Sequence, residues 1–477
     1  GLSTIMTDEL HSYEEGINSN SEALYINWGD PKLVERLMTT VRAYDRIIKP
    51  NPAGHLHFIT SWYSGAKVYS EGPWEWSKYY SYLVLHPGLL IGAYNGDPTA
   101  RKFVIGLADG LLAHGRKAAD GSWTWPVEIN WRTDATKGVL PIDSPPMQLL
   151  WGAWRFTGDQ KYLQPLLTFE EKLGVRALSQ MNENAFDVLG KRDAWTADAV
   201  NRGEGEKASA FDRWLAWQAD GDKRHLEELY GEEIRSGAQR FYTQTEGHWW
   251  SDRVELPSET LQRSRLGGVA LKRNWIWPGH TVSWRFEHDA EAEQVAILVS
   301  GATPSKFKVE AFNTTDHAVR AGMTGWNVTA GEWRMSSGAG VRTFPFEKSA
   351  GVELTFAPGQ NTWTFELAKV GPPVEGRPDL GIGPEDVVRK GRSLAVTVHS
   401  LGAADTPPGS LVVEDAAGKA VTQATIPPLK APRDLMPKTA TLRLALPAEL
   451  KGGRMRLSLP TAEITRLNNS QPLPSSF

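Results

Sequence analysis

Trp28-Gly29-Asp30-Pro31 and Asn95-Gly96-Asp97-Pro98 are near copies of one turn, and looser copies follow at Thr157-Gly158-Asp159-Gln160 and Asp220-Gly221-Asp222-Lys223. The aspartates Asp30, Asp97, Asp159 and Asp222 lie 67, 62 and 63 residues apart. Such near-constant spacing marks a repeated supersecondary unit, longer than the common solenoid periods. In each copy glycine can end one helix in the left-handed conformation while aspartate caps the next, and in two copies proline takes the first helical position. The segments that follow, KLVERLMTTVRAYDRII, TARKFVIGLADGLLAHG, KYLQPLLTFEEKLGVRALSQ and KRHLEELYGEEIRSGAQRFY, place apolar residues three or four apart. Helices also precede the turns, at about 21–27, 79–94, 144–156 and 208–219. Each Gly-Asp is therefore read as a tight turn between two helices.

Hairpins with short turns at one end carry their long connections at the other, here residues 49–78, 115–143 and 181–207. Connections of that length in compact domains are usually functional, and alternating hairpins bring them out on one face. Helical hairpins with T-G-D-x-x-Y-L at a turn, here Thr157 to Leu163, resemble the (α/α) toroids of six-hairpin glycosidases and polysaccharide lyases. Roughly eight helices are legible before residue 245, fewer than a complete toroid has. The expected toroid is therefore incomplete, or the chain is the later part of a longer protein. Residues 1–20 read as the tail of another long loop.

After residue 250 the pattern changes to alternation with frequent turns, as in HTVSWRFEH, QVAILVSG, FKVEAFN, WTFELAKV, SLAVTVHS and TATLRLAL. Short strands separated by Gly, Pro, Asp and Asn argue for antiparallel β-sandwich structure. A proline pair after Gly371 suggests a second β domain. The expectation is an α+β multidomain chain with a toroid over 1–248, a β-sandwich over 249–371, and a second β-sandwich or C-terminal β domain over 372–477.

The 477 residues carry a net charge of −4 with both signs mixed throughout, so a nucleic-acid partner is not expected. No apolar run is long enough to span a membrane, and none is expected as a partner. The absence of cysteine excludes disulfides, thiolate metal sites and cysteine nucleophiles. Localisation and oligomeric state stay open, with a periplasmic or secreted setting favoured. Twenty tryptophans, most of them before residue 290, are either helical core filler or flat platforms for sugar rings.

Position favours platforms for the tryptophans in the long loops. The first loop carries His55, His57, Trp62, Tyr63, Lys67, Tyr69, Glu71, Trp74, Glu75 and Trp76. The second carries Trp123, Trp125, Glu128, Asn130, Trp131, Arg132 and Asp134, and the third Lys191, Arg192, Asp193, Trp195 and Asp198. Aromatics beside ionisable groups on one face suit a saccharide cleft. His86, inside a helical pattern, is read as a core histidine, and Arg132 as a candidate partner of Asp134.

Three chemistries fit these residues. Uronate β-elimination needs a base, a cation to steady the developing enolate and an acid for the leaving oxygen. Glycoside hydrolysis needs two carboxyl groups across the scissile bond, which Glu71, Glu75, Glu128 or Asp134 could supply. A metal site is the third, since His55 and His57 would point the same way on a strand and Glu128 could complete the set. The elimination reading is the one taken, with no metal or other cofactor called for and calcium left open as an aid.

The stretch AGHLHFITSWYSG (53–65) through EGPWEWSKYYSYLVLHPGLL (71–90), after INWGDPKLVERL (26–37), resembles the central region of the exo-rhamnogalacturonan lyase-like proteins. The resemblance extends over about residues 10–290. It implies an (α/α) toroid flanked by β domains and β-elimination at galacturonate in a rhamnose-galacturonate polymer. The catalytic candidates are His55, His57, Tyr63, Tyr79 and Arg132. The substrate-binding candidates are Trp62, Lys67, Trp74, Trp76, Trp123, Trp125, Glu128, Asn130 and Trp131. The expected substrate is a polysaccharide or oligosaccharide containing uronate. A glycoside hydrolase on the same scaffold, or a non-catalytic carbohydrate-binding protein, is the alternative.

Overall fold

A computed structural model describes residues 7–8, 20–64, 66–78, 82–139, 145–173, 192–205, 207–246, 259–271, 277, 279–447, 450 and 452–474. The chain mixes helices with several antiparallel sheets and divides into two compact units. One is Gly1–Phe169 together with Pro373–Phe477, and the other is Glu170–Pro372. Among the described residues no helix is long and apolar enough to cross a membrane.

The Gly-Asp turns form as their chemistry dictates. Gly29, Gly96, Gly158 and Gly221 all take positive φ, between 68° and 84°, a region open to glycine without steric cost. Asp30 accepts from the Leu33 N–H at 3.1 Å and Asp97 from the Ala100 N–H at 2.8 Å, each followed by proline at the helix start. The first unit thus holds hairpins α1 (Asn20–Ile26) with α2 (Pro31–Arg42) and α3 (Tyr82–Tyr94) with α4 (Pro98–His114). It also holds α5 (Pro145–Thr157) and most of α6 (Gln160–Leu173).

In the second unit, α7 (Arg192–Gly203) occupies part of what the sequence suggested was the third long loop, so Arg192, Asp193, Trp195 and Asp198 are helical. Lys191 lies outside the described residues. The fourth hairpin, α8 (Ala210–Asp220) with α9 (Lys223–Glu246), belongs to this unit, where Ser209 and Asp212 cap α8 reciprocally. Three of the hairpins fall in one unit and the fourth in the other, so the described residues do not confirm the expected toroid.

The second unit is built on two antiparallel sheets over one core. Val282–Phe286, Val319–Gly325 and Gly351–Phe356 form one. Val295–Thr303, Lys306–Asn313, Gly359–Val370, Gly331–Ser337 and Gly340–Phe346 form the other, in that spatial order. Phe307, stacked on Phe365 at 4.5 Å and packed beside Trp333 and Phe346, fills the space between them. The Gln218 amide of α8 donates to the Val299 carbonyl at 3.1 Å, tying the helices to this sandwich.

The C-terminal part of the first unit is a second pair of sheets. Leu380–Gly381, Ser393–Ser400, Val387–Lys390 and Lys438–Ala445 face Ala420–Ile426, Gly409–Glu414, Arg454–Ser458 and Ser470–Pro472 across a core of Leu, Val and Ile. Its loops receive the turn ends of the first two hairpins. Tyr94 donates to the fully buried Asp379 carboxyl at 2.5 Å, and Asn468 donates both to Asp379 at 3.1 Å and to the Gly29 carbonyl at 3.0 Å. Asn95 reaches the Leu401 carbonyl at 2.9 Å. A Cβ at Gly29 would lie 2.7 Å from Thr465 and 2.8 Å from Asn468, so glycine is needed here for close approach as well as for φ.

Two titrating groups sit in this contact. Burial pushes the Asp379 carboxyl up to about 8, against the Tyr94 hydrogen bond and with help from Glu463. For His399, burial alone would lower the pKa, but the Asp386 and Glu35 carboxylates, at 3.0 and 2.6 Å, more than offset it and raise it to about 9. Both groups hold a proton more tightly when folded. Their contribution is complete below the ordinary values of 3.8 and 6.5 and is lost as pH rises through about 8 and about 9. The thermal unfolding midpoint should therefore fall as pH is raised from neutral into the alkaline range, and His399→Gln should flatten the upper part of that fall. A midpoint that climbs over the same interval would contradict the assignment.

Candidate functional site

Topology places the loops away from the docked turns. The chain enters α3 from the first long loop, turns at Asn95-Gly96 against the C-terminal sheets, and leaves α4 into the second. Both loops therefore lie at the opposite end of the same hairpin, and they are not structureless. Ile48–Pro50 pairs with Leu56–Phe58, Trp62–Tyr63 with Val68–Tyr69, and Arg116–Lys117 with Trp123–Thr124. Thr7–Asp8 adds to Trp62–Tyr63, so part of the N-terminal segment joins this loop end. Trp76–Ser77, Glu128–Asn130 and Thr136–Lys137 make a three-stranded sheet that sews the two loops together.

Several candidates from the sequence serve this stitching. His57 is fully buried and meets the Ile129 carbonyl at 3.2 Å; burial, the largest cause, drives its pKa down to about 3. Tyr63 and Trp125 are buried at 3% and 2% exposure, so both pack the interior. Asn130 is buried too, accepting from the Arg132 and Thr133 N–H groups and donating to Glu75 at 3.3 Å. His86 is fully buried, as read from the sequence, with its pKa lowered to about 3 by burial. Tyr79 lies outside the described residues.

Other candidates reach the surface. Trp62, Trp74, Trp76, Trp123 and Trp131 are half-buried, as is Tyr69. Arg132 lies over the Trp131 ring at 4.4 Å and pairs with Glu75 at 2.8 Å, not with Asp134 as the sequence suggested. Lys137 lies over Trp76 at 5.3 Å and pairs with Glu128 at 2.7 Å. Lys67 stands over Tyr69 at 4.9 Å, and Trp74 is 5.9 Å from the same ring. Cations held over aromatic faces keep both the charge and the ring in place.

His55 is half-buried where His57 is fully buried. Its ring meets that of His114 edge-on at 5.3 Å. Asp134 lies 2.9 Å from His114 Nε2, whereas Glu128 is engaged by Lys137. The pair of histidines two apart with Glu128 is thus replaced by His55, His114 and Asp134. Sequence reading passed over His114 as a metal or acid-base candidate, although a histidine in the last turn before a long loop was an available signal. It also passed over Asn51 and Lys137, for which alternation and spacing offered none.

No family model matches the chain, and no curated protein matches it. Among solved structures, eighteen chains match. They include β-glucuronidase from Ruminococcus gnavus in complex with uronic isofagomine, at 8% identity and a TM-score of 0.13, covering 34% of this chain and 33% of that one. The same enzyme in complex with D-glucuronic acid matches at 9% identity and a TM-score of 0.13, covering 32% and 33%. Its apo structure matches at 8% identity and a TM-score of 0.14, covering 36% of each chain. This chain spans about a third of the length of the solved chains it matches. Overlap of that size does not place it in the glucuronidase family.

The burial of His57 has a direct readout. Its ring nitrogen shifts, followed by NMR, should stay those of a neutral imidazole through the interval in which a histidine near 6.5 becomes charged. Titration of His57 in that interval would place the ring in contact with solvent.

Proposed function

We propose that the loop end of α3 and α4 binds a uronate-containing polysaccharide and cleaves it by β-elimination. The observation that carries this reading is the grouping of half-buried aromatic rings with fixed cations, Arg132 on Trp131 and Lys137 on Trp76. Indole faces receive the apolar faces of sugar rings, while guanidinium and ammonium groups receive carboxylates. In elimination, a base removes the proton from the carbon next to the carboxylate. The negative charge that develops on the carboxylate is steadied by cations, and the bond to the leaving oxygen breaks as that oxygen takes a proton. Arg132 and Lys137 would steady the charge. Of the two described loop tyrosines, Tyr63 is buried and Tyr69 is not, so Tyr69 would move the proton.

The resemblance of residues 53–90 to the exo-rhamnogalacturonan lyase-like proteins supports the same reading and suggests a rhamnogalacturonan as the polymer. Hydrolysis is the second reading, favoured by Glu75, which immediately precedes the strand Trp76–Ser77, and Glu128, which lies in the strand paired with it. Each is already held by a cation, Glu75 by Arg132 and Glu128 by Lys137, which suits positioning better than shuttling a proton.

Incubation with pectic, glucuronan and alginate polymers should raise the ultraviolet absorbance of an unsaturated uronate with at least one of them. New reducing ends without that absorbance would replace elimination with hydrolysis, and binding without either would leave a carbohydrate-binding protein. Arg132→Ala should lower kcat/KM by about 100-fold, the usual scale for losing one group that stabilises developing charge. Because Arg132 is exposed, the unfolding temperature should barely move. Tyr69→Phe should abolish turnover while leaving binding to the polymer in place, as expected for a proton-transfer group.

A further inference from the structure

We propose that His55, His114 and Asp134 form a binding site for a divalent transition metal of the zinc class. Each offers one ligand atom, and the three atoms lie within 4.8 Å of one another. Two imidazoles and one carboxylate are the donor set of many zinc centres, with a fourth position left open for water or a substrate oxygen.

The surroundings are those of a prepared site. His114 Nδ1 lies 2.8 Å from the Gly110 carbonyl, one turn back on α4. A carbonyl can only accept, so Nδ1 carries the hydrogen and Nε2 turns its remaining valence toward Asp134, 2.9 Å away. Two acceptor atoms that close require a proton or a metal ion between them. An outer carbonyl that fixes the imidazole in this way is the usual companion of a metal-bound histidine.

Asn51, buried at 5% exposure, organises the other two ligands. Its amide donates to Asp134 at 2.5 Å, and its oxygen accepts from the His55 N–H at 3.0 Å. Asp134 itself takes φ of 61°, an uncommon conformation for a residue other than glycine. Such conformations persist where surrounding structure over-determines them, often at functional sites. A second, independent observation points to a ligand: His55 Nδ1 is shielded from solvent and has no hydrogen-bond partner among the described residues. A buried nitrogen with no partner is costly, and coordination would remove that cost.

The inference goes beyond the proposed elimination and does not depend on it, because the site can be loaded and measured without substrate. The full chain, freed of metal by a chelator, is titrated with Co2+ while the visible d–d bands are followed, and then with Zn2+ in competition. The expected result is one equivalent bound, with intense bands of a low-coordinate nitrogen–oxygen site that Zn2+ abolishes. His114→Ala and Asp134→Asn should each weaken binding at least about tenfold, whereas His317→Ala, at an exposed histidine elsewhere, should not. Asn tolerates the left-handed backbone at position 134, so Asp134→Asn should keep the metal-free unfolding temperature and isolates the ligand from the fold. Absence of saturable binding, or binding untouched by Asp134→Asn, overturns the site and leaves His114 and Asp134 as a hydrogen-bonded pair. Loss of elimination activity has no bearing on that outcome.

Discussion

The organisation of the first unit depends on one buried carboxyl. Asp379 has no exposure and accepts from the Tyr94 hydroxyl, the Asn468 amide and the Thr465 N–H. Through Asn468 it is joined to the Gly29 carbonyl, so the turns of two helical hairpins close on one group from the C-terminal sheets. A buried carboxyl with three donors is strongly held; one left unpaired would cost several times more than the net worth of any single bond. Nothing larger than hydrogen fits at Gly29 without shifting Thr465 and Asn468. Side-chain volume, backbone handedness and buried polarity therefore agree on how helices and sheets meet.

That contact decides where chemistry can happen. With the turn ends of the hairpins covered, the opposite end of α3 and α4 presents the long segments. Short strands hold these segments together. Strands of two or three residues have little stability alone, so each is fixed by what it joins. Ser77 donates to the Phe58 carbonyl, His57 meets that of Ile129, and Trp131 donates from its ring to Ser70 at 3.3 Å. The buried polar residues of the loops thus serve to hold the exposed aromatic and cationic ones at fixed separations. Pre-organisation of this kind lowers the ordering cost of binding a flexible polymer.

Much of this was legible in the sequence. The Gly-Asp turns announced themselves because only a narrow set of residues satisfies a left-handed helix end followed at once by an N-cap. Strands with strict alternation, such as Lys306–Asn313 and Ser393–Ser400, were equally plain. Val319–Gly325, Gly331–Ser337 and Gly340–Phe346 were missed, although the first alternates cleanly in burial. Their glycines, alanine and serines carry too little apolar contrast for periodicity to register. The helix Arg192–Gly203 was hidden for the related reason that its composition is polar and it has few apolar positions to show a period.

The site itself shows where spacing arguments stop. Residues two apart share a face only if the chain between them is extended and paired. The strand here is Leu56–Phe58, so His57 lies within it and His55 lies just outside, in the turn that Asn51 organises. The pleat therefore sends His57 inward to Ile129, while the turn frees His55 to meet His114. His114 and Asp134 are separated from His55 by whole elements, and the pairing of Trp76–Ser77 with Glu128–Asn130 helps bring the second loop over the first. Side-chain type marked both loops as functional, but which histidine faces which carboxylate was set by a cross-loop sheet whose strands are too short to read from sequence.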